Sequence, residues 1–90
     1  MLHLIAYDIA HDKRLRRVAS LCEDFGTRIE KSVFECDLDD DQFDRFWEKL
    51  AKMVDSDEDA VFDYPIGLLD SSRVRTLGKA RRPRREAYIF

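Results

Sequence analysis

The segment LHLIAYDIAHDKRLRRVASLCEDFG, residues 2–26, contains the two elements on which the fold depends. Residues 2–9 alternate between two faces that are both largely apolar, so we expect a strand in the centre of a sheet, covered on both sides. Residues 12–25 carry apolar side chains at helical spacing and predict an amphipathic helix that packs on this sheet. Asp12 is expected to cap the start of the helix, and Gly26 to end it in the left-handed conformation.

Residues 27–38, TRIEKSVFECDL, have the composition of a strand but do not keep one pattern of alternation. Apolar side chains occupy odd positions up to Val33 and even positions from Phe34 onward. A regular strand has a side-chain period of two and cannot exchange its faces, so a bulge or a sharp bend is expected within residues 31–34. One bent strand and two short strands both satisfy this pattern.

The rest of the chain predicts a second helix, a further strand, an irregular stretch and a short terminal strand, at residues 40–54, 60–66, 67–83 and 85–90 respectively. Asp39 and Gln42 have the spacing of a capping box at the start of the second helix. With the bent region counted as two strands, the order βαββαβ is that of a ferredoxin-like α+β sandwich, here with an extra C-terminal strand. We therefore expect a ferredoxin-like domain over residues 1–66 and a basic C-terminal segment over residues 67–90.

In such a sandwich both helices cover the same face of an antiparallel sheet. The other face of the first strand, which we expect to carry Ile5 and Tyr7, then needs a different cover. A chain of this size buries only about 60–65% of its unfolded surface, which leaves a limited core. A second copy of the chain is the expected cover, and the sequence therefore predicts a homodimer.

Charge is distributed unevenly along the chain, although the formal net charge is only −3. Residues 35–63 carry three Lys or Arg against twelve Asp or Glu, whereas residues 73–85 carry seven cationic side chains and no acid. A segregated distribution of this kind allows one side to bind an anion such as nucleic acid. A solvated basic tail is the alternative interpretation of the second segment.

We expect neither an export signal nor a membrane-spanning segment in this sequence. Its first residues lack the basic start of a signal peptide, and no apolar run approaches the roughly 20 residues that cross a bilayer. Cys22 and Cys36 lie in apolar stripes, and two cysteines are too few for a disulfide framework. We therefore expect a cytoplasmic protein with reduced thiols in its core and no membrane contact.

Asp8 ends the first strand and is the strongest candidate for chemistry. A strand-end carboxylate often caps the following turn, and this structural role is one alternative. The other is a ligand for Mg²⁺, which prefers carboxylate oxygens and keeps several waters. One carboxylate is too few for a firm site, but two copies of Asp8 across a dimer twofold axis would form a more complete one.

Residue spacing gives no support to several other kinds of site. Neither His3 nor His11 has the context of a catalytic triad. The chain has no glycine-rich phosphate loop and no zinc-ligand spacing.

Arg14, Arg17 and Arg28 could neutralise phosphates, with ordinary surface charge as the alternative.

Four parts of the sequence resemble one family in order and spacing. They are YDI at residues 7–9, DKRLRRVA at 12–19, FGTRIEKSVFEC at 25–36 and the second amphipathic helix. Together they resemble the CRISPR-associated protein two family over residues 1–66. The resemblance implies a ferredoxin-like homodimer in which Asp8 of each chain binds a shared divalent cation such as Mg²⁺.

Members of that family have been described as metal-dependent nucleases that act on single-stranded RNA or on double-stranded DNA. The residues that match family positions linked to this activity are Tyr7, Asp8, Arg17, Arg28 and Phe34, and Arg14 and Ser32 lie in the same strings. The chain has Glu30 where the family commonly has glutamine, which adds a negative charge beside the expected phosphate path.

The resemblance also implies an architectural role in CRISPR adaptation, the capture of new spacers. In this role a dimer bridges subunits of the CRISPR integrase, and its basic surface holds duplex DNA. The expected phosphate contacts are Arg14, Arg16, Arg17, Arg28, Arg81, Arg82, Arg84 and Arg85. Whether the protein is also an enzyme is left open, and a stand-alone, toxin-like metal-dependent endoribonuclease of the same fold is the alternative function.

Overall fold

The computed structural model describes residues 1–78, which form four strands and three helices. In chain order these are β1 (Leu2–Asp8), α1 (Asp12–Phe25), β2 (Thr27–Glu30), β3 (Val33–Asp37), α2 (Asp40–Met53), β4 (Ala60–Ile66) and α3 (Leu68–Ser71). The short helix α3 lies in the stretch that the sequence predicts to be irregular. The predicted terminal strand at 85–90 and the arginines from Arg81 onward lie outside the described residues.

The strands of this part of the chain form one antiparallel sheet in the order β2-β3-β1-β4. This order, with α1 and α2 on one face, confirms the predicted ferredoxin-like α+β fold. β1 is central because it pairs with both β3 and β4. Residues 27–38 are two short strands joined by a turn, and the register shifts between Arg28 and Glu30, slightly earlier than the predicted bend.

The hydrophobic core lies between the sheet and the two long helices. Its fully buried side chains come from every layer of the sandwich, and they include Ile5, Val18, Cys22, Phe34, Cys36 and Phe46. The apolar stripes of α1 and α2 supply the helical part, as their spacing predicts. The core therefore fixes the position of β1 beneath the two long helices.

The predicted orientation of β1 is wrong. Ile5 and Tyr7 are 0% and 6% exposed and belong to the core beneath the helices. By alternation, Leu4, Ala6 and Asp8 point to the other side of the sheet, which we call the second face. Because both faces of this strand are largely apolar, its alternation does not reveal which of them the helices cover.

The ends of the helices follow the predictions only in part. The capping box is confirmed, since Asp39 Oδ1 accepts a hydrogen bond from Gln42 N at 2.8 Å and Gln42 Oε1 accepts one from Asp39 N at 3.0 Å. At the start of α1, however, the N-cap residue is His11 and its side chain makes no capping hydrogen bond. Asp12 is the first helical residue instead, where its negative charge is favourable beside the positive end of the helix dipole.

Gly26 does not have the predicted left-handed conformation. Its φ of −161° is extended, and its N–H donates to Cys22 O at 2.8 Å. The need for glycine is steric, because a Cβ atom at this position would collide with Cys36 Sγ and the carbonyl oxygen of Glu35. The missing side chain lets the end of α1 approach β3 closely.

Replacing Gly26 by alanine is expected to lower the free energy of unfolding by about 2–3 kcal/mol, because overpacking against backbone cannot relax easily. Urea denaturation followed by circular dichroism measures this change. Gly67→Ala is the matched control, since nothing lies within 4 Å of a Cβ atom there. It should change stability by less than about 0.5 kcal/mol. Equal stability of the two variants would contradict the steric explanation.

Candidate metal and nucleic-acid site

Asp8 is the last residue of β1, and its side chain is exposed on the second face. It pairs across the sheet with Ala60, the first residue of β4. Residues two and four positions before it, Ala6 and Leu4, share the same face by strand alternation. The carboxylate therefore lies at the end of an apolar row and points away from α1 and α2.

Two aromatic rings continue this apolar row on β4. Phe62 pairs with Ala6 and Tyr64 pairs with Leu4, so both rings lie on the second face. They are 49% and 54% exposed, and their ring centroids stack at 6.4 Å with planes 17° apart. On the β3 side of the same face Glu35, the cross-strand neighbour of Leu4, is buried. Asp8 thus borders an exposed aromatic surface.

Tyr7, Phe34 and Arg28, which the family resemblance connects with catalysis, lie on the helix side of the sheet. The rings of Tyr7 and Phe34 are buried with centroids 6.2 Å apart. The guanidinium of Arg28 lies 5.0 Å from the Phe34 ring centroid and donates to Glu23 Oε1 at 2.9 Å. Within one protomer the sheet therefore separates these three residues from Asp8.

The hydroxyl of Tyr7 has no hydrogen-bond partner and is the one buried side-chain polar atom of this kind within residues 1–78. Burial raises the pKa of Tyr7 above its ordinary value, and the neighbouring Cys22 adds to this effect. A tyrosine in this state is a poor proton donor at neutral pH. The geometry is that of a packing residue beneath α1.

Tyr7→Phe is expected to leave the protein as stable as the wild type or up to about 1 kcal/mol more stable, because it removes a desolvated and unpaired hydroxyl. Thermal and urea unfolding measure the change. Ser20→Ala removes an exposed hydroxyl on α1 and serves as the control, with an expected change below about 0.5 kcal/mol. A clear loss of stability, or a loss of nuclease activity in folded Tyr7→Phe, would show that the hydroxyl has a function.

Arg14 is held in a cluster of charges that joins α1 to the segment before β4. Its Nε donates to Asp59 Oδ2 at 2.8 Å, and its Nη2 donates to Asp59 Oδ1 at 3.1 Å and to Glu58 Oε2 at 3.0 Å. Hydrogen bonding to Arg14 holds the pKa of Asp59 far below its ordinary value, and the same pair raises the pKa of Arg14. Arg14 is therefore committed to a carboxylate within the fold.

Arg16 and Arg17 differ from Arg14 in being exposed on α1, with no ion pair to another residue in the described part of the chain. Arg17 lines an open groove at the start of this helix together with Lys13 and Arg14. Arg28, in contrast, is paired with Glu23. Among the predicted phosphate contacts before residue 79, the free cations are thus Arg16 and Arg17.

The sequence analysis did not identify Asp59 as a residue of interest. It lies in the run DSDEDA, whose polarity is typical of a solvated connector. In the structure its side chain is 0% exposed and is hydrogen-bonded to residues 45 and 49 positions away. No local sequence pattern predicts such a pairing, because it depends on how β1 and β4 pack together.

The described part of the chain offers no complete metal site within one protomer. No group of three or more His, Cys, Asp or Glu within residues 1–78 could hold a metal ion. His3 is unsuited because it is buried, stacks on Phe43 with centroids 4.0 Å apart and pairs with Asp63 at 2.8 Å. An exposed carboxylate suits Mg²⁺, which keeps most of its waters, but one carboxylate alone does not make a metal site.

The two cysteines are buried free thiols of the core. Burial raises the pKa of Cys22 to about 12, with Cys36 as a further cause. Such a thiol is almost wholly protonated at neutral pH and does not ligate metals. No helix in the described residues is long and apolar enough to cross a membrane.

The fold and the position of Asp8 define a small ferredoxin-like domain with an acidic strand end beside an exposed aromatic surface. Residues 1–74 match the family model described as CRISPR associated protein Cas2, which covers most of the chain. The chain therefore belongs to the Cas2 family, and the resemblance stated from the sequence is confirmed.

Characterised relatives agree with this assignment. The chain is 42% identical over 65 residues to a protein of Synechocystis sp. named CRISPR-associated endoribonuclease Cas2 3, covering 72% of this chain and 71% of that protein. It is 35% identical over 83 residues to the CRISPR-associated endonuclease Cas2 of Halalkalibacterium halodurans, covering 87% and 86%. The two names differ in whether they specify RNA as the substrate.

Solved structures show the same fold. The crystal structure of Streptococcus pyogenes Cas2 at pH 6.5 superimposes with a TM-score of 0.77 at 37% identity, covering 87% of this chain and all of that one. A hypothetical protein from Thermus thermophilus superimposes with a TM-score of 0.80 at 32% identity, covering 92% of this chain and 96% of that one. The ferredoxin-like sandwich is thus common to these proteins.

Proposed function

We propose that this protein acts as a homodimer in CRISPR adaptation and that the two Asp8 carboxylates of the dimer bind Mg²⁺ between them. The observation that carries the proposal is the position of Asp8 on the second face, beside the exposed rings of Phe62 and Tyr64. If the twofold axis passes beside Asp8, a partner that covers those rings also brings a second Asp8 close to the first. The metal site and the dimer interface are therefore proposed as one feature.

The proposed dimer interface is the apolar row formed by Leu4, Ala6, Phe62 and Tyr64 on the second face. Two neighbouring aromatic rings that are about half exposed lose apolar contact with water when a partner covers them. Twofold symmetry makes such an interface self-complementary, so the same row on each protomer supplies both sides. Residues that lie close to the twofold axis contact their own symmetry mates, and we propose that the axis passes beside Asp8.

The proposed chemistry is hydrolysis of a phosphodiester bond. When bound, Mg²⁺ would activate a coordinated water and polarise a phosphoryl oxygen. The protein itself would hold the ion with Asp8. It would bind the phosphates with Arg16 and Arg17, which are exposed on α1. Two Asp8 carboxylates that face each other repel unless a cation lies between them, so activity should depend strongly on the metal.

The proposed cellular role is that of a cytoplasmic scaffold that binds duplex DNA and bridges subunits of the CRISPR integrase. Membership of the Cas2 family supports this role over a stand-alone toxin-like endoribonuclease. The charge distribution supports a DNA path that avoids α2, because the segment that contains this helix is strongly acidic and repels phosphates. Arg16, Arg17 and the basic C-terminal segment are the proposed phosphate contacts.

Removing the metal tests the catalytic part of the proposal separately from the DNA-binding part. Labelled single-stranded RNA and duplex DNA are incubated with the purified protein in Mg²⁺ and then in EDTA. Cleavage should fall to background in EDTA and return when Mg²⁺ is added in excess. Duplex DNA should still bind in EDTA, because the proposed contacts are arginine–phosphate pairs that release counterions and weaken with salt.

Two outcomes would contradict the proposal. Cleavage that is unchanged by EDTA would mean that the metal has no part in it. Loss of duplex binding in EDTA would mean that DNA is held through the metal and not by the arginines. Because relatives are named both endoribonuclease and endonuclease, both substrates belong in the assay.

A further inference from the structure

The side chain of Asp59 is fully buried and receives four hydrogen bonds. Oδ1 accepts from Ala10 N at 2.9 Å and from Arg14 Nη2 at 3.1 Å. Oδ2 accepts from Arg14 Nε at 2.8 Å and from Asp55 N at 2.8 Å. A carboxylate has about four lone-pair sites, so none is left for a metal ion.

These bonds connect the loop that carries Asp59 to the preceding loop at Ala10 and to α1 at Arg14, and the bond from Asp55 lies within the first of these loops. Ala10 belongs to the loop between β1 and α1 and follows Asp8 by two residues. Asp55 belongs to the loop between α2 and β4, and Asp59 directly precedes Ala60, the cross-strand partner of Asp8. The carboxylate of Asp59 therefore fixes the backbone on both sides of the pair that presents Asp8.

Glu58 provides a second connection between the same loops. Its Oε2 lies 3.0 Å from Arg14 Nη2 and 3.2 Å from His11 Nε2. These contacts are largely exposed, since the His11 and Glu58 side chains are 63% and 47% accessible, so solvent weakens them. The buried Asp59 carboxylate is therefore the principal connection.

We propose that Asp59, acting through Arg14 and the backbone of Ala10, is the positioning residue for Asp8. Buried carboxylates that hydrogen-bond the backbone near a ligand restrict the directions in which that ligand can point, as outer partners of metal ligands commonly do. Arg14 accordingly serves this carboxylate and is not a free phosphate contact. The inference rests on the proposed function, in which Asp8 is the ligand that needs a fixed position.

The test uses the full-length protein with ¹³C-labelled aspartate carboxyls, in which the Asp8 resonance is assigned by its loss in Asp8→Asn. Arg14→Ala and Asp59→Asn should increase amide hydrogen exchange of Ala10 about tenfold or more and shift the Asp8 resonance. They should also weaken the affinity for Mn²⁺, measured by broadening of that resonance, by about tenfold. Arg45→Ala, a change of the same kind at an exposed position of α2, should alter none of these.

Arg14→Lys is the conservative variant, because lysine keeps the charge but cannot make the paired bonds of a guanidinium. Its effects should lie between those of the wild type and Arg14→Ala. The same variant keeps the inference testable if Asp59→Asn does not fold. If Arg14 helps to position Asp8, the chemical shift of the Asp8 carboxyl should change progressively from wild type to Arg14→Lys to Arg14→Ala.

The possible failures can be told apart. In the Arg14 and Asp59 variants, the amide of Ala10 could exchange faster while the Asp8 resonance and the Mn²⁺ affinity keep their wild-type values. Asp59 would then stabilise the loops without positioning Asp8, and the inference is overturned. If Mn²⁺ leaves the Asp8 resonance of the wild type unchanged, the metal site of the proposed function fails. The positioning of Asp8 is then still judged by whether Arg14→Ala shifts its resonance, and an unshifted resonance overturns it.

Discussion

Replacing Asp8 by alanine is expected to lower metal-dependent cleavage about 100-fold or more, because it removes the protein ligand from both halves of the proposed site. Stability should change by less than about 0.5 kcal/mol, since the side chain is exposed and makes no packing contact in the core. Cleavage assays of dimeric, folded protein measure the first effect, and urea unfolding measures the second.

Asp24→Ala is the matched control for this substitution, because Asp24 is an exposed carboxylate near the end of α1. It should retain wild-type cleavage. Normal cleavage by Asp8→Ala would contradict the proposed catalytic site. Spacer capture with the integrase separates the two proposed roles. Capture that survives in Asp8→Ala supports the scaffold as the essential role, and capture that is lost despite normal dimer and DNA affinity would contradict it.

Replacing Phe62 and Tyr64 together by aspartate is expected to convert the dimer to a monomer. Twofold symmetry places four of these rings in one interface, and burying the exposed half of each ring contributes about 1 kcal/mol. Charges at these positions also repel their symmetry mates. The dimer dissociation constant should therefore rise about 1000-fold or more, which corresponds to at least about 4 kcal/mol. Sedimentation equilibrium over a range of concentrations measures it.

The control introduces the same added charge on the helix side of the sandwich, as Ser20→Asp with Ala51→Asp, two exposed positions. It should remain dimeric. The monomeric variant should also lose metal-dependent cleavage even though Asp8 is intact, because its carboxylate then lacks a partner. A double variant that stays dimeric would contradict the second face as the interface, and cleavage by a monomer would contradict a site shared between protomers.

Most of the fold follows from patterns that are local in the sequence. The helical stripes locate α1 and α2 to within a residue, and the capping box at Asp39 marks the start of α2. Pairing is not local, so the sequence leaves residues 27–38 as either one strand or two. It also misassigns the faces of β1, since Ile5 and Leu4 are equally apolar and only the packed helices distinguish them.

The candidate site is predictable to a smaller degree. Asp8 stands out because a carboxylate ends an apolar strand, and its exposure agrees with that interpretation. Tyr7 and Phe34 enter only through the family resemblance, and the sheet separates them from Asp8 within one protomer. Asp59 is missed because ion pairs between distant segments have no periodic signal. Its partner Arg14 is predicted as a phosphate contact for the same reason. The sequence of α1 contains the arginine, but the carboxylate that pairs with it comes from a distant segment.

The most direct test of a metal site shared by two protomers is the stoichiometry of Mn²⁺ binding to the purified dimer. Electron paramagnetic resonance of free Mn²⁺, titrated against a known protein concentration, gives the number of bound ions. The expected result is one ion for every two chains in the wild type and none in Asp8→Ala. One ion for each chain, or binding that persists in Asp8→Ala, would contradict the shared site.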